Sequence, residues 1–304
     1  MNVKEFAQFY NDIKVDEYIE QDTNAIYHYT SPAGFSSIID KNQLRFTDRF
    51  YLNDKSEGIY VLKLCVENID TFSFLTEGFK KAFLKNCKKR IHKPQRDRFF
   101  VYQCSFSIDK DSLCLWNYYT KSDGIKGYNL KFDSTDISKV IELTPNDDTK
   151  VPKLRYGKVV YNEEKQLNIL KEIIKIFYEY SQQGNYQEND FISDYLVDKI
   201  MQLGVFFKMP CFSIEQEYRL AYDLYLNDDN TYAMIAEEQC FYEKNGIFVP
   251  YVDLNFNKKC LVGVGVSPSL DFEATKESIL RISGVKYPNL NNDTVYQSEI
   301  PVRY

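Results

Sequence analysis

Hydrophobic positions along the chain recur in two periods, and the switches between them delimit the elements. Residues 25–29, Ala-Ile-Tyr-His-Tyr, predict a strand, and Ser31 with Pro32 supplies the N-cap and first position of a helix that carries Phe35, Ile38 and Ile39 and ends near Asn42. Residues 44–47 alternate as a strand, and 52–57 form a turn entering the next helix. Ile59, Leu62, Val66 and Ile69 share one helical face, and Leu75, Phe79, Phe83 and Cys87 share another. Phe99–Ser107 predicts a strong strand, 111–119 a short helix holding the single tryptophan, 127–132 a strand, and 151–161 further β structure. Two helices follow over Glu163–Gln182 and Asn189–Leu203, joined by a polar connector at 181–185. Strands return at 205–212, Glu217–Tyr225, 247–252 and Leu261–Val266, then a helix near 272–282 and a last strand near 295–302.

These blocks follow no regular βαβ beat, so the expected class is α+β. Neither G-x-G-x-x-G nor G-x-x-x-x-G-K-[ST] occurs, which weighs against Rossmann and P-loop enzymes. The 304 residues, 44% hydrophobic and 27% charged, exclude a disordered or low-complexity chain and suffice for a core without disulfide or metal staples. The apolar runs at 204–207 and 261–266 fall far short of the roughly 20 residues a membrane span needs. The first residues lack the pattern of a secretory signal, so a soluble, cytoplasmic protein with no membrane partner is expected. Seven cysteines without a C-x-x-C pair suggest buried free thiols, and two histidines make a zinc site improbable.

Net charge is −6, yet residues 80–98 hold Lys80, Lys81, Lys85, Lys88, Lys89, Arg90, Lys93, Arg96 and Arg98 against Asp97 alone. That stretch is either a solvated helix face or an electrostatic footprint for a polyanion such as nucleic acid. Three constellations offer chemistry. His28 lies between Tyr27, Tyr29 and Thr30 just before a helix N-terminus, which suits an anion; a satisfied core histidine is the alternative. Along residues 213–220, period two places Glu215, Glu217 and Arg219 on one strand face, either a paired solvated edge or a cleft whose carboxylate stabilises an oxocarbenium-like state. Ser105 and Ser107 close the strong strand, and Trp116, Tyr118 and Tyr119 follow, as core aromatics or as a platform for a heteroaromatic ring.

In order, His28-Tyr29-Thr30-Ser31, Asn53-Asp54-Lys55-Ser56-Glu57, Ser105-Phe106-Ser107, Leu113-Cys114-Leu115-Trp116-Asn117-Tyr118-Tyr119 and Glu215-Gln216-Glu217-Tyr218-Arg219-Leu220 resemble a bacterial and phage family of unknown function, over roughly residues 25 to 266. That family is distantly similar to ADP-ribosyltransferases. The resemblance implies one domain over 1–304, with a split mixed or antiparallel sheet and helical additions at about 56–93 and 163–204. It further implies NAD as substrate, no metal, and a macromolecular acceptor, protein or nucleic acid. On the same ground His28, with Tyr29 and Thr30, anchors NAD, Ser107 supports the pocket, and Glu217 is the catalytic carboxylate. Glu215 orients the acceptor, Tyr119 or Trp116 stacks on nicotinamide, and Asn53 and Arg219 belong to the binding site. Such families keep company with toxins and phage-defence effectors; a non-catalytic nucleotide or nucleic-acid binding module is the competing expectation.

Overall fold

A computed structural model of the chain describes residues 3–54, 56, 58–93, 99–120, 125–135, 139–141, 153–183, 189–225 and 239–301. Among these the strands are β1 (Ala25–Thr30), β2 (Gln43–Asp48), β3 (Phe99–Ser107), β4 (Tyr128–Asp133), β5 (Lys153–Lys158), β6 (Glu217–Tyr225), β7 (Cys240–Lys244), β8 (Ile247–Asn255), β9 (Leu261–Val266) and β10 (Val295–Gln297). The helices are α1 (Val3–Asp12), α2 (Pro32–Lys41), α3 (Tyr60–Glu67), α4 (Glu77–His92), α5 (Leu113–Tyr119), α6 (Glu163–Gln182), α7 (Asn189–Leu203) and α8 (Phe272–Ser283). All strands join one open sheet in the order β10-β9-β4-β1-β3-β2-β8-β7, with β6 on β3 and β5 on β6. The sheet is mixed: β9 and β10 run parallel, and the other ladders are antiparallel.

Local chemistry explains the element ends. Ser31 Oγ accepts from Gly34 N at 3.1 Å with Pro32 at the first position of α2, and Asn42 takes the left-handed conformation (φ 58°) that closes it. Asn162 caps α6 by accepting from Lys165 N at 2.8 Å. Alternation along β3 and β6 then divides the core. Tyr102, Cys104, Phe106, Tyr218, Leu220 and Tyr222 pack with α2 and α8 on one face, whereas Val101 and Ala221 pack with α3, α4, α6 and α7 on the other.

Several expectations are corrected. Residues 205–212 are not a strand: they form 3-10 turns at Gly204–Phe206 and Pro210–Glu215, because Pro210 lacks an N–H and only Phe207 bridges Val160. The final strand covers only Val295–Gln297. Helix α1 was not anticipated; its Phe9 ring stacks on Tyr180 at 3.9 Å. Nor was β7, joined to β8 by Asn245 and Gly246, both at positive φ (53° and 80°) as a two-residue hairpin requires. Of the cysteines, Cys65, Cys87 and Cys104 are buried, while Cys211 and Cys240 are exposed. No described helix is long and apolar enough to cross a membrane.

Candidate functional site

The sheet splits at β3. One edge of that strand pairs with β6 along its whole length, from Phe99↔Tyr225 to Ser107↔Glu217. The other edge meets β1 at Tyr27↔Ser107 and β2 at Tyr102 and Gln103, so residues 104–106 have no ladder partner there among the described residues. A cleft of about 440 Å³ opens at this gap, a size suited to a small organic ligand. His28 bridges the gap: Nδ1 donates to the Ser105 carbonyl at 3.0 Å, which leaves Nε2 as an acceptor on the cleft side. Burial lowers its pKa below the usual 6.5 despite that carbonyl, so the ring is neutral at pH 7.

Across the cleft lies a buried charge cluster. Glu217 Oε2 accepts from Arg219 Nη2 at 2.7 Å and Nε at 3.2 Å, and from Lys208 Nζ at 3.3 Å. Burial alone would raise the Glu217 pKa, but Arg219, Lys208 and the Ser105 hydroxyl together hold it below the ordinary carboxylate value. Glu215 differs: burial and the neighbouring Glu217 charge push its pKa up, although Lys208 Nζ stands 2.6 Å from Oε2. Lys208 itself is raised: burial opposes its charge, and the two carboxylates outweigh that opposition. One cation thus serves two carboxylates held in different protonation regimes.

The shared strand face expected for Glu215, Glu217 and Arg219 is corrected in part. Glu215 ends a 3-10 turn, and Gln216 at φ 44° breaks the period before β6 begins. Lys208, not alternation, brings the two carboxylates together. Nothing singled out Lys208 in the sequence, although a lone cation in the apolar stretch 204–212 was a usable signal. Arg219 is fully buried behind Glu217, with Nη1 on the Val205 carbonyl at 2.6 Å, and does not line the cleft.

Of the other singled-out residues, Tyr29, Asn53, Ser107 and Tyr119 line the cleft. Ser107 is engaged with backbone, donating to the Glu215 carbonyl at 2.8 Å and accepting from Asp109 N at 3.0 Å, so it fixes the turn that carries Glu215. Tyr29 O–H donates to the Asp109 carbonyl and accepts from Ser112 N. Asn53 Oδ1 accepts from Lys244 Nζ at 2.8 Å; Lys55 and Glu57 of its motif lie outside the described residues. Thr30 is buried beside Gly34 and away from the cleft. Trp116 is corrected as a stacking candidate: it is buried, Nε1 donates to Asp111 Oδ1 at 2.8 Å, and its ring meets Tyr29 edge-on at 4.8 Å. Tyr118 and Tyr119 are the exposed aromatics at the rim.

Gln103 escaped the sequence reading. Its side chain shares the β3 face of Ser105 and Ser107, lines the cleft, and is 3% exposed, yet neither amide atom has a hydrogen-bond partner among the described residues. Burying an amide in that state costs about 1–3 kcal/mol per group.

The basic stretch is partly neutralised within the fold. Lys80 lies 3.8 Å from Asp70 and 3.7 Å from Glu77, Lys85 lies 3.0 Å from Asp190, and buried Arg90 lies 2.8 Å from Asp198. Arg96, Asp97 and Arg98 are outside the described residues.

Residues 115–220 match a family model, described as a protein of unknown function (DUF2971). The matched stretch contains Trp116, Tyr119, Lys208, Glu215, Glu217 and Arg219 but neither His28 nor Gln103. No curated protein and no solved structure shows significant similarity to the chain.

Proposed function

We propose that the cleft binds NAD and that the protein transfers ADP-ribose to a macromolecule, protein or nucleic acid, or to water. The supporting observation is convergence: His28, Ser107 and Glu217 come from distant parts of the sequence and line one cleft where the sheet splits. Breaking the bond between ribose C1′ and the nicotinamide nitrogen leaves positive charge on the ribose and releases neutral nicotinamide. A carboxylate kept ionised and fixed by Arg219 and Lys208 stabilises that charge without reorganising. The neutral His28 ring offers Nε2 to a ribose hydroxyl, and Tyr119 stands at the rim where a ring can stack. Glu215, whose pKa is raised, is suited to take the proton that the acceptor loses on attacking C1′.

On this reading the protein serves as a bacterial toxin or phage-defence effector, a role supported by the family resemblance alone. The binding-module alternative gains less support, because Lys80, Lys85 and Arg90 already face carboxylates. Nicotinamide release from NAD, followed by chromatography, tests the proposal. Glu217→Gln should lower the rate by about 10²–10³-fold while the circular dichroism spectrum is kept. Wild-type protein that neither binds NAD in calorimetry nor releases nicotinamide with cellular extract as acceptor source refutes it.

A further inference from the structure

We infer that Gln103 reads the ligand: its side-chain amide pairs with a planar donor–acceptor edge on the ring attached to the ribose, so the cleft selects nucleotides that carry such an edge. Three observations carry this. The amide is buried, lies on the cleft-facing side of β3, and has both its donor and its acceptor unmatched among the described residues. One ligand group that satisfies both atoms at once is a primary carboxamide or the amino-and-ring-nitrogen edge of an aminopurine, which a glutamine meets with two parallel hydrogen bonds. Thr47, directly across the ladder from Gln103, also lines the cleft and adds a hydroxyl beside that edge.

Spacing fits the same chemistry. Gln103 precedes Ser105 by two residues on one strand face, about 7 Å. Glu217 pairs with Ser107 across the ladder and its carboxylate is also held by the Ser105 hydroxyl, so the carboxylate stands between the Ser105 and Ser107 levels. A nucleoside whose ribose hydroxyl meets Glu217 spans such a distance to the far edge of its ring. The carboxamide of nicotinamide and the edge of adenine share this chemistry, and NAD carries both. The inference deepens the NAD reading and rests on it for the choice of ligands, but its test needs no turnover.

Calorimetry with nicotinamide mononucleotide in one arm and AMP in the other, on the full chain, decides between the two sources. For the ligand whose edge Gln103 reads, Gln103→Leu should weaken binding about 10- to 100-fold and leave the other ligand unchanged. The melting temperature of Gln103→Leu should match or exceed that of wild type, because an unmatched buried amide has been removed. If the leucine variant fails to fold, Gln103→Glu, isosteric but without the N–H₂ donor, should show the same selective loss. Equal binding of both nucleotides by wild type and variants overturns the inference, as does absence of binding to wild type in both arms. Selective loss in a protein that releases no nicotinamide supports the inference and refutes the transferase reading. Turnover and binding both unaffected by Gln103→Leu do the reverse.

Discussion

Replacing Lys208 with methionine removes the one cation shared by Glu215 and Glu217 while keeping an unbranched chain of similar length. Lys208 and Arg219 balance the two carboxylates in wild type; the variant leaves one negative charge unmatched in a site where Lys208 and Glu217 are each 6% exposed. Breaking a buried ion pair by removing one partner costs about 3–5 kcal/mol. With an unfolding entropy near 2.1 cal/mol/K per residue, the 304-residue chain loses about 5–8 °C of melting temperature if it unfolds as one unit. The deficit should depend on pH, and its sign follows from Glu215. A carboxyl with a raised folded-state pKa takes up a proton on folding, so its ionisation costs stability as pH rises above its unfolded value of 4.5. Loss of Lys208 raises that pKa further. A proton on Glu215 cancels the unmatched charge, and lowering the pH from 8 towards 5 favours that proton, so the deficit should be smaller at pH 5. Thermal melts of wild type, Lys208→Met, Glu215→Gln and the double variant at both pH values check this, and the double variant should recover much of the loss at pH 8. A deficit independent of pH, or one that Glu215→Gln adds to, refutes a shared cation.

Imidazole NMR is simple in a chain with two histidines: His28 should show the Nδ1–H tautomer and titrate below 6.5, with its share of stability lost as pH falls below that value; a midpoint above 6.5 contradicts the buried contact with Ser105. Trp116→Phe should lower stability by about 1–3 kcal/mol through loss of the Asp111 bond and leave nucleotide affinity unchanged in calorimetry; the opposite pattern would return the indole to the ligand site. Gln166→Leu leaves the Tyr60 hydroxyl and the Lys208 carbonyl without the Gln166 amide and the Val160 carbonyl with Lys208 N alone, so chemical denaturation should show a loss of about 3 kcal/mol; a neutral result would mean these groups find other partners.

Legibility in the sequence followed the strength of local periodicity. The bounds of α6, α7, β3 and β6 coincide with their hydrophobic phases because each has long apolar rows on a face that the fold buries. At residues 204–212 the apolar content is real but serves burial of irregular backbone, and composition alone does not distinguish that from a strand. The Asn245-Gly246 hairpin and the Phe6, Phe9 and Tyr10 stripe of α1 were legible signals left unread. In the site, His28, Ser107, Tyr119 and Glu217 stood out by residue type and position, and they line one cleft. Lys208 did not, because its carboxylates, seven and nine residues on, are brought to it by an irregular 3-10 turn that follows no period, and Gln103 did not, because its significance lies in partners withheld. Yet the alternation that made β3 legible also sets Gln103, Ser105 and Ser107 on one face, so a polar row on a strong strand was the readable trace of the cleft.

The helices at 163–203 are tied to the site more closely than an addition to the sheet would be. The chain leaves the sheet after β5 and rejoins it at β6, and the two ends of the helical excursion are bound to each other at Val160 and 206–208: Val160 N donates to the Phe206 carbonyl, Lys208 N to the Val160 carbonyl, and Gln166 at the start of α6 holds both the Val160 and Lys208 carbonyls. What this closure delivers is Lys208 to the two carboxylates and the Val205 carbonyl to Arg219. The helical layer is buried against the same sheet face through Leu170, Ile174, Leu196 and Ile200. Its packing therefore fixes the position of the cation that helps keep Glu217 ionised and that offsets, in part, the burial and like charge raising the Glu215 pKa. A sheet that carried Glu217 and Arg219 without this excursion would have the carboxylate and its guanidinium but no cation to hold the second carboxylate beside the first.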